Sequence, residues 1–262
     1  TGVEFAVDVL ASAAVFAGLA LASKPADADH PYGHGRSETL AGLLVGLLLA
    51  VVGFGICYQS LQQVGERHDP PALYGVWPLA AAALIKGGLA GVKFRYGRRI
   101  QSSALVADAW NDAMDVLSGL AALAALGLTL YDPARFLAAD HYGGFAVGLI
   151  VIVTAVLVVR DTSLQLMDTM PEEALVEQIR AVALRVPHVS GVEKCFARNS
   201  GLQYHVDLHL EVDPKITVQV SHEIASQVRA ELREQLDWIA DVLVHVEPAG
   251  LGQGPAEGPP AG

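Results

Sequence analysis

The sequence feature that most restricts the fold is a run of 27 residues, 39–65, that contains no charged side chain. A transmembrane helix needs about 20 mostly apolar residues, so this run is long enough to cross a lipid bilayer. Four further segments are comparably apolar, and together the five predict a bundle of membrane-spanning α-helices. The predicted spans are 3–23, 39–65, 72–92, 100–129 and 142–159.

The charged residues are unevenly divided along the chain. Residues 1–160 hold 12 acidic and 10 basic side chains, whereas residues 161–262 hold 16 and 7 and carry most of the net charge of −11. This division predicts a transmembrane domain at 1–162 and an acidic soluble domain at 163–248. An acidic chain lacks the basic face that nucleic acid requires, and no nucleotide-binding phosphate loop is present. The Gly- and Pro-rich tail, 249–262, is predicted to be disordered.

Basic residues near the ends of the spans predict the orientation of the chain. Seven lysines and arginines lie on one side and two on the other, and the positive-inside rule assigns the richer side to the cytoplasm. The soluble domain is therefore expected in the cytoplasm, beneath a bacterial inner membrane. Because the first span then starts outside, we expect a sixth helix to precede Thr1 in the intact protein.

The soluble domain has a different pattern, in which apolar and polar residues alternate. Helices are predicted over 172–186 and 217–235, the second from apolar residues that recur every four positions. Strands are predicted at 191–198, 203–211 and 240–247. The order helix, strand, strand, helix, strand describes a small α+β domain.

Acidic residues inside two predicted spans are the strongest functional signal, because a charge at mid-bilayer costs about 2.5 kcal/mol or more and tends to mark function. Glu4 and Asp8 lie one turn apart on the first span, and Asn111 has the same spacing from Asp115 on the fourth. The helical rise places Asp8 and Asp115 at similar depths, roughly 21–23 Å from the cytoplasmic ends. Such oxygen ligands favour Mn²⁺, Mg²⁺ or Ca²⁺ over softer ions. The alternatives are a structural hydrogen-bond network between the helices and polar groups that line a water-filled vestibule.

Three other charges lie within the predicted spans. Asp108 and Asp112 are placed on other faces of the fourth span, and Asp108 is expected either to line a cytoplasmic access path or to have a structural role. Lys86 is expected to reach the membrane surface or to pair with one of the acids. The two cysteines, Cys57 and Cys195, are predicted to be buried thiols.

Two further groups of candidate metal ligands lie outside the spans. Loop 24–38 carries Asp27, His30 and His34, and imidazole together with carboxylate suits Zn²⁺ and similar ions. The candidates in the soluble domain are His209, His222, His245 and Glu247. Ordinary solvated polar side chains are the alternative in both places.

Four blocks of sequence together resemble the cation diffusion facilitator family of divalent-metal/proton antiporters. They are GVEFAVDVLAS in the first span, HPYGHGRSE at 30–38, ALVADAWNDAMD at 104–115, and VDLHLEVD with VHVEP in the soluble domain. The resemblance implies a homodimer with six helices per subunit and a metallochaperone-like cytoplasmic domain that binds metal at the dimer interface.

The resemblance also implies roles for individual residues. The transport site would be formed by Glu4, Asp8, Asn111 and Asp115, and the loop site by Asp27, His30 and His34. The cytoplasmic site would comprise His209, His222, His245 and Glu247, with Glu193 as an added candidate. Arg36 would pair with Asp168, which links the helical and cytoplasmic domains.

Two differences from the zinc-transporting members of this family bear on which metal ion is transported. Asn111 stands where those members have histidine, and Glu4 stands where they have aspartate or histidine. An oxygen-only site resembles the manganese-type branch, so Mn²⁺ is the expected substrate, with Zn²⁺, Fe²⁺, Co²⁺ and Ni²⁺ left open. The predicted activity is export from the cytoplasm by proton antiport. The rival hypotheses are an intramembrane metalloenzyme and a metal sensor that does not transport.

Overall fold

A computed structural model describes residues 2–62, 76–131 and 139–250. The chain divides into two compact units between Leu166 and Met167. In its described residues the first unit is helical, whereas the second combines two helices with a three-stranded sheet. The fold class predicted from the sequence, a helical bundle followed by a small α+β domain, is confirmed.

In the part of the first unit that the structure describes there are five long helices, and each overlaps one predicted span. They are α1 Gly2–Ala22, α2 Arg36–Gln62, α3 Val76–Arg99, α4 Ser103–Tyr131 and α5 Ala139–Leu166. Among the described residues, Arg36–Gln62 and Gly144–Leu166 are long and apolar enough to cross a membrane by composition alone. Helix α3 continues to Arg99 instead of ending at 92, because a basic turn remains compatible with a helix and Lys93 finds acidic partners on α4.

Helix α2 is the centre of the first unit and packs against α1, α4 and α5. Glycines permit its close approach to α5: a Cβ atom at Gly46 would lie 2.9 Å from Val158, and one at Gly53 would lie 2.9 Å from Ile152. The outside of the unit is apolar, and large side chains such as Phe16 are mostly exposed. An outer surface of this kind suits contact with lipid tails.

The second unit has the predicted order of elements. They are α6 Glu173–Ala183, β1 Val189–Ser200, β2 Gln203–Val212, α7 Val218–Gln235 and β3 Ile239–Pro248. Strand β2 lies in the middle of the sheet, antiparallel to β1 and parallel to β3. The parallel pair requires a crossover connection, and α7 supplies it. Of the tail predicted to be disordered, residues 251–262 lie outside the described residues.

The core of the second unit follows from the alternation in β2. Val206, Leu208 and Leu210 are almost completely buried, and they pack with Ile179 of α6 and Val228 of α7. The residues between them therefore point to the other face of the sheet. The parallel register places His209 of β2 beside His245 of β3 on that polar face. Both cysteines are buried free thiols, as predicted.

Candidate functional site

The predicted transport site combines residues of α1 and α4, and these two helices pack against each other. Ala11 of α1 and Ala107 of α4 belong to one buried cluster. Asp8 precedes Ala11 by three positions and Asn111 follows Ala107 by four, so both lie about one turn from this packed contact. The side chains of Glu4 and Asp8 fall outside the described residues. Their part in the site stays a prediction.

The two predicted ligands on α4, Asn111 and Asp115, lie within the described residues. The Asn111 side chain is buried, whereas that of Asp115 remains 34% exposed. Lys86 of α3 donates from Nζ to Asp115 Oδ2 over 2.5 Å. Of the two alternatives for Lys86, the structure therefore has it paired with an acid. This acid is one of the predicted metal ligands.

A second lysine of α3 joins the two remaining aspartates of α4. Lys93 Nζ lies 2.7 Å from Asp108 Oδ2 and 2.5 Å from Asp112 Oδ2. The two carboxylate side chains are only 5% and 10% exposed. This buried ion-pair cluster favours the structural role for Asp108 and gives Asp112 the same role, because burial makes an unpaired carboxylate costly. The sequence placed these aspartates away from the face of Asn111 and Asp115 and did not predict their shared partner.

Glu38 makes a buried contact with the start of α4 that the sequence did not predict. This carboxylate is fully buried at the start of α2. The Ala104 backbone N–H and the Ser102 hydroxyl donate to its Oε1 over 2.6 and 2.7 Å. The Ser103 hydroxyl also donates to Glu38, at 3.2 Å to Oε2. A negative charge at a helix N-terminus is favourable, so Glu38 fixes the start of the helix that carries Asn111 and Asp115.

The loop before α2 brings its three predicted ligands together. Asp27 Oδ1 lies 3.2 Å from His30 Nδ1, and Asp27 Oδ2 lies 3.5 Å from His34 Nε2. One ligand atom from each residue lies within 4.8 Å of the others, which is close enough for a single ion. The buried Nδ1 atom of His34 has no hydrogen-bond partner among the described residues.

Backbone N–H groups near Asp27 stabilise its ionised carboxylate, which is the form that binds a cation. The His30 N–H donates to Asp27 Oδ1 over 2.7 Å, and this hydrogen bond lowers the pKa of the Asp27 carboxyl below its ordinary value. The Asp29 N–H donates to the same oxygen over 3.1 Å. The carboxylate therefore stays ionised, and able to bind metal, in more acidic solution than a free aspartate.

Three of the predicted cytoplasmic ligands form a second cluster on the polar face of the sheet. Glu247 Oε1 lies 2.6 Å from His209 Nδ1 and 3.4 Å from His245 Nε2. One ligand atom from each of the three lies within 4.8 Å of the others. His222 is exposed on α7 and is not part of this cluster as the described residues show it.

Glu193 of β1 adjoins the cluster through Glu247. A hydrogen bond between the two carboxyl groups raises the pKa of Glu193 and lowers the pKa of Glu247. The His209 ring also lowers the pKa of Glu247. Of the two carboxyl groups, Glu247 therefore has the lower pKa and is the one more readily available to a cation in its ionised form.

The predicted pair of Arg36 and Asp168 involves residues from different units. Arg36 begins α2 in the helical unit, and Asp168 lies just after the boundary, with a positive φ of 59°. Their pairing stays a prediction.

The apolar helical unit, the ligands within it and the two His–carboxylate clusters define a membrane protein that handles metal ions. Comparison with family models agrees: residues 2–167 match the cation efflux transmembrane domain, and residues 171–249 match the cation efflux protein cytoplasmic domain. The chain belongs to the cation efflux family, which confirms the resemblance drawn from the four sequence blocks.

Relatives of this chain include transporters of known and unknown substrate. The manganese efflux system protein MneP of Bacillus subtilis is 27% identical over 94% of this chain and 84% of its own length. The uncharacterized transporter YdbO of the same organism is 30% identical over 94% of this chain and 84% of its own length. A solved structure, MamM CTD in a nickel form, is 34% identical over 29% of this chain and 98% of its own, with a TM-score of 0.29.

Family membership establishes the general activity. The protein is an integral membrane transporter that removes metal cations, and the family consists of transporters rather than enzymes. Its cytoplasmic domain is of the dimerising type, so the protein is a homodimer.

Proposed function

We propose that this protein exports Mn²⁺ from the cytoplasm in exchange for protons, through a site formed by Glu4, Asp8, Asn111 and Asp115. The observation that carries the proposal is the position of Asn111 and Asp115 one turn apart on α4, next to the contact with α1. Helix α1 contains Glu4 and Asp8 at the matching spacing.

The ligand chemistry supports manganese. Carboxylate and amide oxygens suit Mn²⁺, whereas zinc sites are usually built with imidazole or thiolate. Asn111 supplies an amide where an imidazole would favour zinc. The name of MneP, a manganese efflux system protein, points in the same direction.

The same ligands support coupling to protons. A carboxylate must lose its proton before it coordinates a metal ion, so metal binding releases protons and protons compete with bound metal. In an alternating-access cycle, Mn²⁺ binds from the cytoplasm and external protons displace it when the site opens outward. The free energy of the proton gradient then drives export.

The two other clusters are proposed to bind metal without being the transport site. His209, His245 and Glu247 would hold an ion on the cytoplasmic domain and report the cytoplasmic metal level across the dimer. Asp27, His30 and His34 would form a loop site, and the pair of Arg36 with Asp168 would join the two units. We place the protein in a bacterial inner membrane, as its bacterial relatives suggest.

The loop cluster favours a second candidate, a zinc or iron exporter of the same family. Two imidazoles and a carboxylate within 4.8 Å of each other form a ligand set that Zn²⁺ accepts readily. A metal sensor would also bind ions at these clusters, but it would move none across the membrane.

Transport by the full-length protein in liposomes tests the proposal. We expect Asp8→Ala and Asp115→Ala each to lower Mn²⁺ flux by about a hundredfold, and Mn²⁺ to be carried faster than Zn²⁺, Fe²⁺, Co²⁺ or Ni²⁺. Asp161→Ala is the matched control, because this α5 carboxylate is 64% exposed and pairs with Arg160. Unchanged flux in both site variants would refute the assignment.

A further inference from the structure

The charges of α3 and α4 face each other in a regular order. Lys86 and Lys93 are separated by two helical turns on α3, so they lie on the same face. Asp108 and Asp112 meet Lys93, and Asp115 meets Lys86. This order follows because α3 and α4 form an antiparallel hairpin that turns at residues 100–102.

The two lysines differ in how accessible their ion pairs are. The side chains of Lys86 and Asp115 are 29% and 34% exposed, whereas the two acidic partners of Lys93 are almost completely buried. Breaking a buried pair leaves an uncompensated charge, so the Lys86–Asp115 pair, with each side chain about one-third exposed, should separate at lower cost than the pairs of Lys93. The Lys86–Asp115 pair is therefore suited to exchange.

We propose that Lys86 is a resident counter-ion of the transport site, whose ammonium group occupies Asp115 when no metal is bound and weakens metal binding. This inference rests on the proposed function of Asp115 as a metal ligand. To coordinate Asp115 Oδ2, an incoming ion must displace Lys86 Nζ from that oxygen. The site thus exchanges a tethered monovalent cation for a free divalent one.

The exchange has a consequence for release. A displaced ammonium group remains attached to α3 close to a bound divalent ion, and like charges at short range repel each other. The repulsion weakens metal binding and gives Asp115 a new partner as soon as the ion leaves. Lys86 therefore lowers the affinity of the site for the metal ion and speeds its release.

The direction in which metal affinity changes when Lys86 is removed distinguishes a counter-ion from a lysine that only supports the fold. A lysine that merely supports the fold should, when removed, leave metal affinity unchanged or lower it. A competing counter-ion should, when removed, raise metal affinity and slow release.

Mn²⁺ titration calorimetry and flux measurements on the full-length protein provide the test. The binding experiments use a background of His34→Ala and His245→Ala, so that the loop and cytoplasmic clusters contribute little heat. Lys86→Met removes the charge and keeps the chain length, and Lys86→Arg keeps the charge. Lys24→Met, which removes an exposed lysine after α1, is the control for loss of a positive charge, and Lys86→Gln replaces the Met variant if that protein does not fold.

We expect Lys86→Met to bind Mn²⁺ about tenfold more tightly, or roughly 1.4 kcal/mol. Its KM and its kcat for transport should both fall. Lys86→Arg should resemble the parent protein, and Lys24→Met should leave the affinity for Mn²⁺ unchanged. If Lys86→Met binds equally or more weakly while Asp115→Ala loses binding, the counter-ion role is refuted and the proposed function stands. If Asp115→Ala keeps full binding and flux, the assignment of Asp115 as a metal ligand is refuted, and the counter-ion role falls with it.

Discussion

The two ends of the α3–α4 hairpin use the same residue types in different ways. Near the turn, Lys93 holds Asp108 and Asp112 in a buried ion-pair cluster. Two turns farther along, Lys86 holds Asp115 in a pair that is about one-third exposed. The two pairs differ in burial, and on the proposed function the buried one supports the fold while the more exposed one gives way to the metal ion.

Lys93→Met should produce the largest loss of stability. Removing the ammonium group leaves two carboxylates uncompensated in a buried place, and such changes typically cost about 3–5 kcal/mol. Thermal or denaturant unfolding of the purified protein measures this loss. Lys24→Met, at an exposed position after α1, is the control and should change stability by less than about 0.5 kcal/mol. Equal stability of the two variants would show that the buried ion-pair cluster does not support the fold.

Glu38→Ala should produce the second-largest loss of stability, because it also removes a buried charged group. The substitution leaves the Ala104 N–H and the Ser102 hydroxyl without their acceptor, for a loss of about 2–3 kcal/mol. Glu38→Gln keeps one carbonyl acceptor and should lose less. Unfolding measurements in which both variants match the parent protein would contradict this role.

Asn111→His should change selectivity rather than stability. An imidazole next to the exposed end of the hairpin should shift the ratio of Zn²⁺ to Mn²⁺ transport by about tenfold toward zinc. Competition flux with both ions present measures the ratio, and Asn111→Gln controls for loss of the native side chain. A ratio that stays constant in Asn111→His would mean that this residue does not select the metal.

His245→Ala should have the smallest effect on transport and a clear effect on binding. The substitution removes one ligand of the cytoplasmic cluster, so metal affinity there should fall by about a hundredfold. His222→Ala, on α7 outside the cluster, should change affinity less. Titration of the full-length protein distinguishes them, and equal losses would mean that His222 belongs to the cluster.

Much of the fold could be predicted from local pattern. The charge-free run 39–65 fixes α2, and the alternation of Val206, Leu208 and Leu210 fixes which face of β2 is buried. The parallel pairing of β2 and β3, which sets His209 beside His245, depends on the crossover and could not be derived from either strand alone.

The polar contacts of the helical unit were harder to predict, because they join residues that are distant in sequence. Glu38 and Ala104 are 66 positions apart, and nothing local shows that a carboxylate in α2 completes the start of α4. The partners of Lys86 and Lys93 follow from counting outward from the 100–102 turn, but only once α3 is known to continue to Arg99. The exposure that separates the two pairs depends on tertiary packing.

Locating Mn²⁺ by its anomalous scattering in crystals of the full-length protein tests the central claim most directly. We predict an anomalous peak bonded to the Asp115 carboxylate, with the Lys86 ammonium displaced from Oδ2. Peaks confined to the cluster of Asp27, His30 and His34 and to the cytoplasmic cluster, with Lys86 still on Asp115, would contradict it.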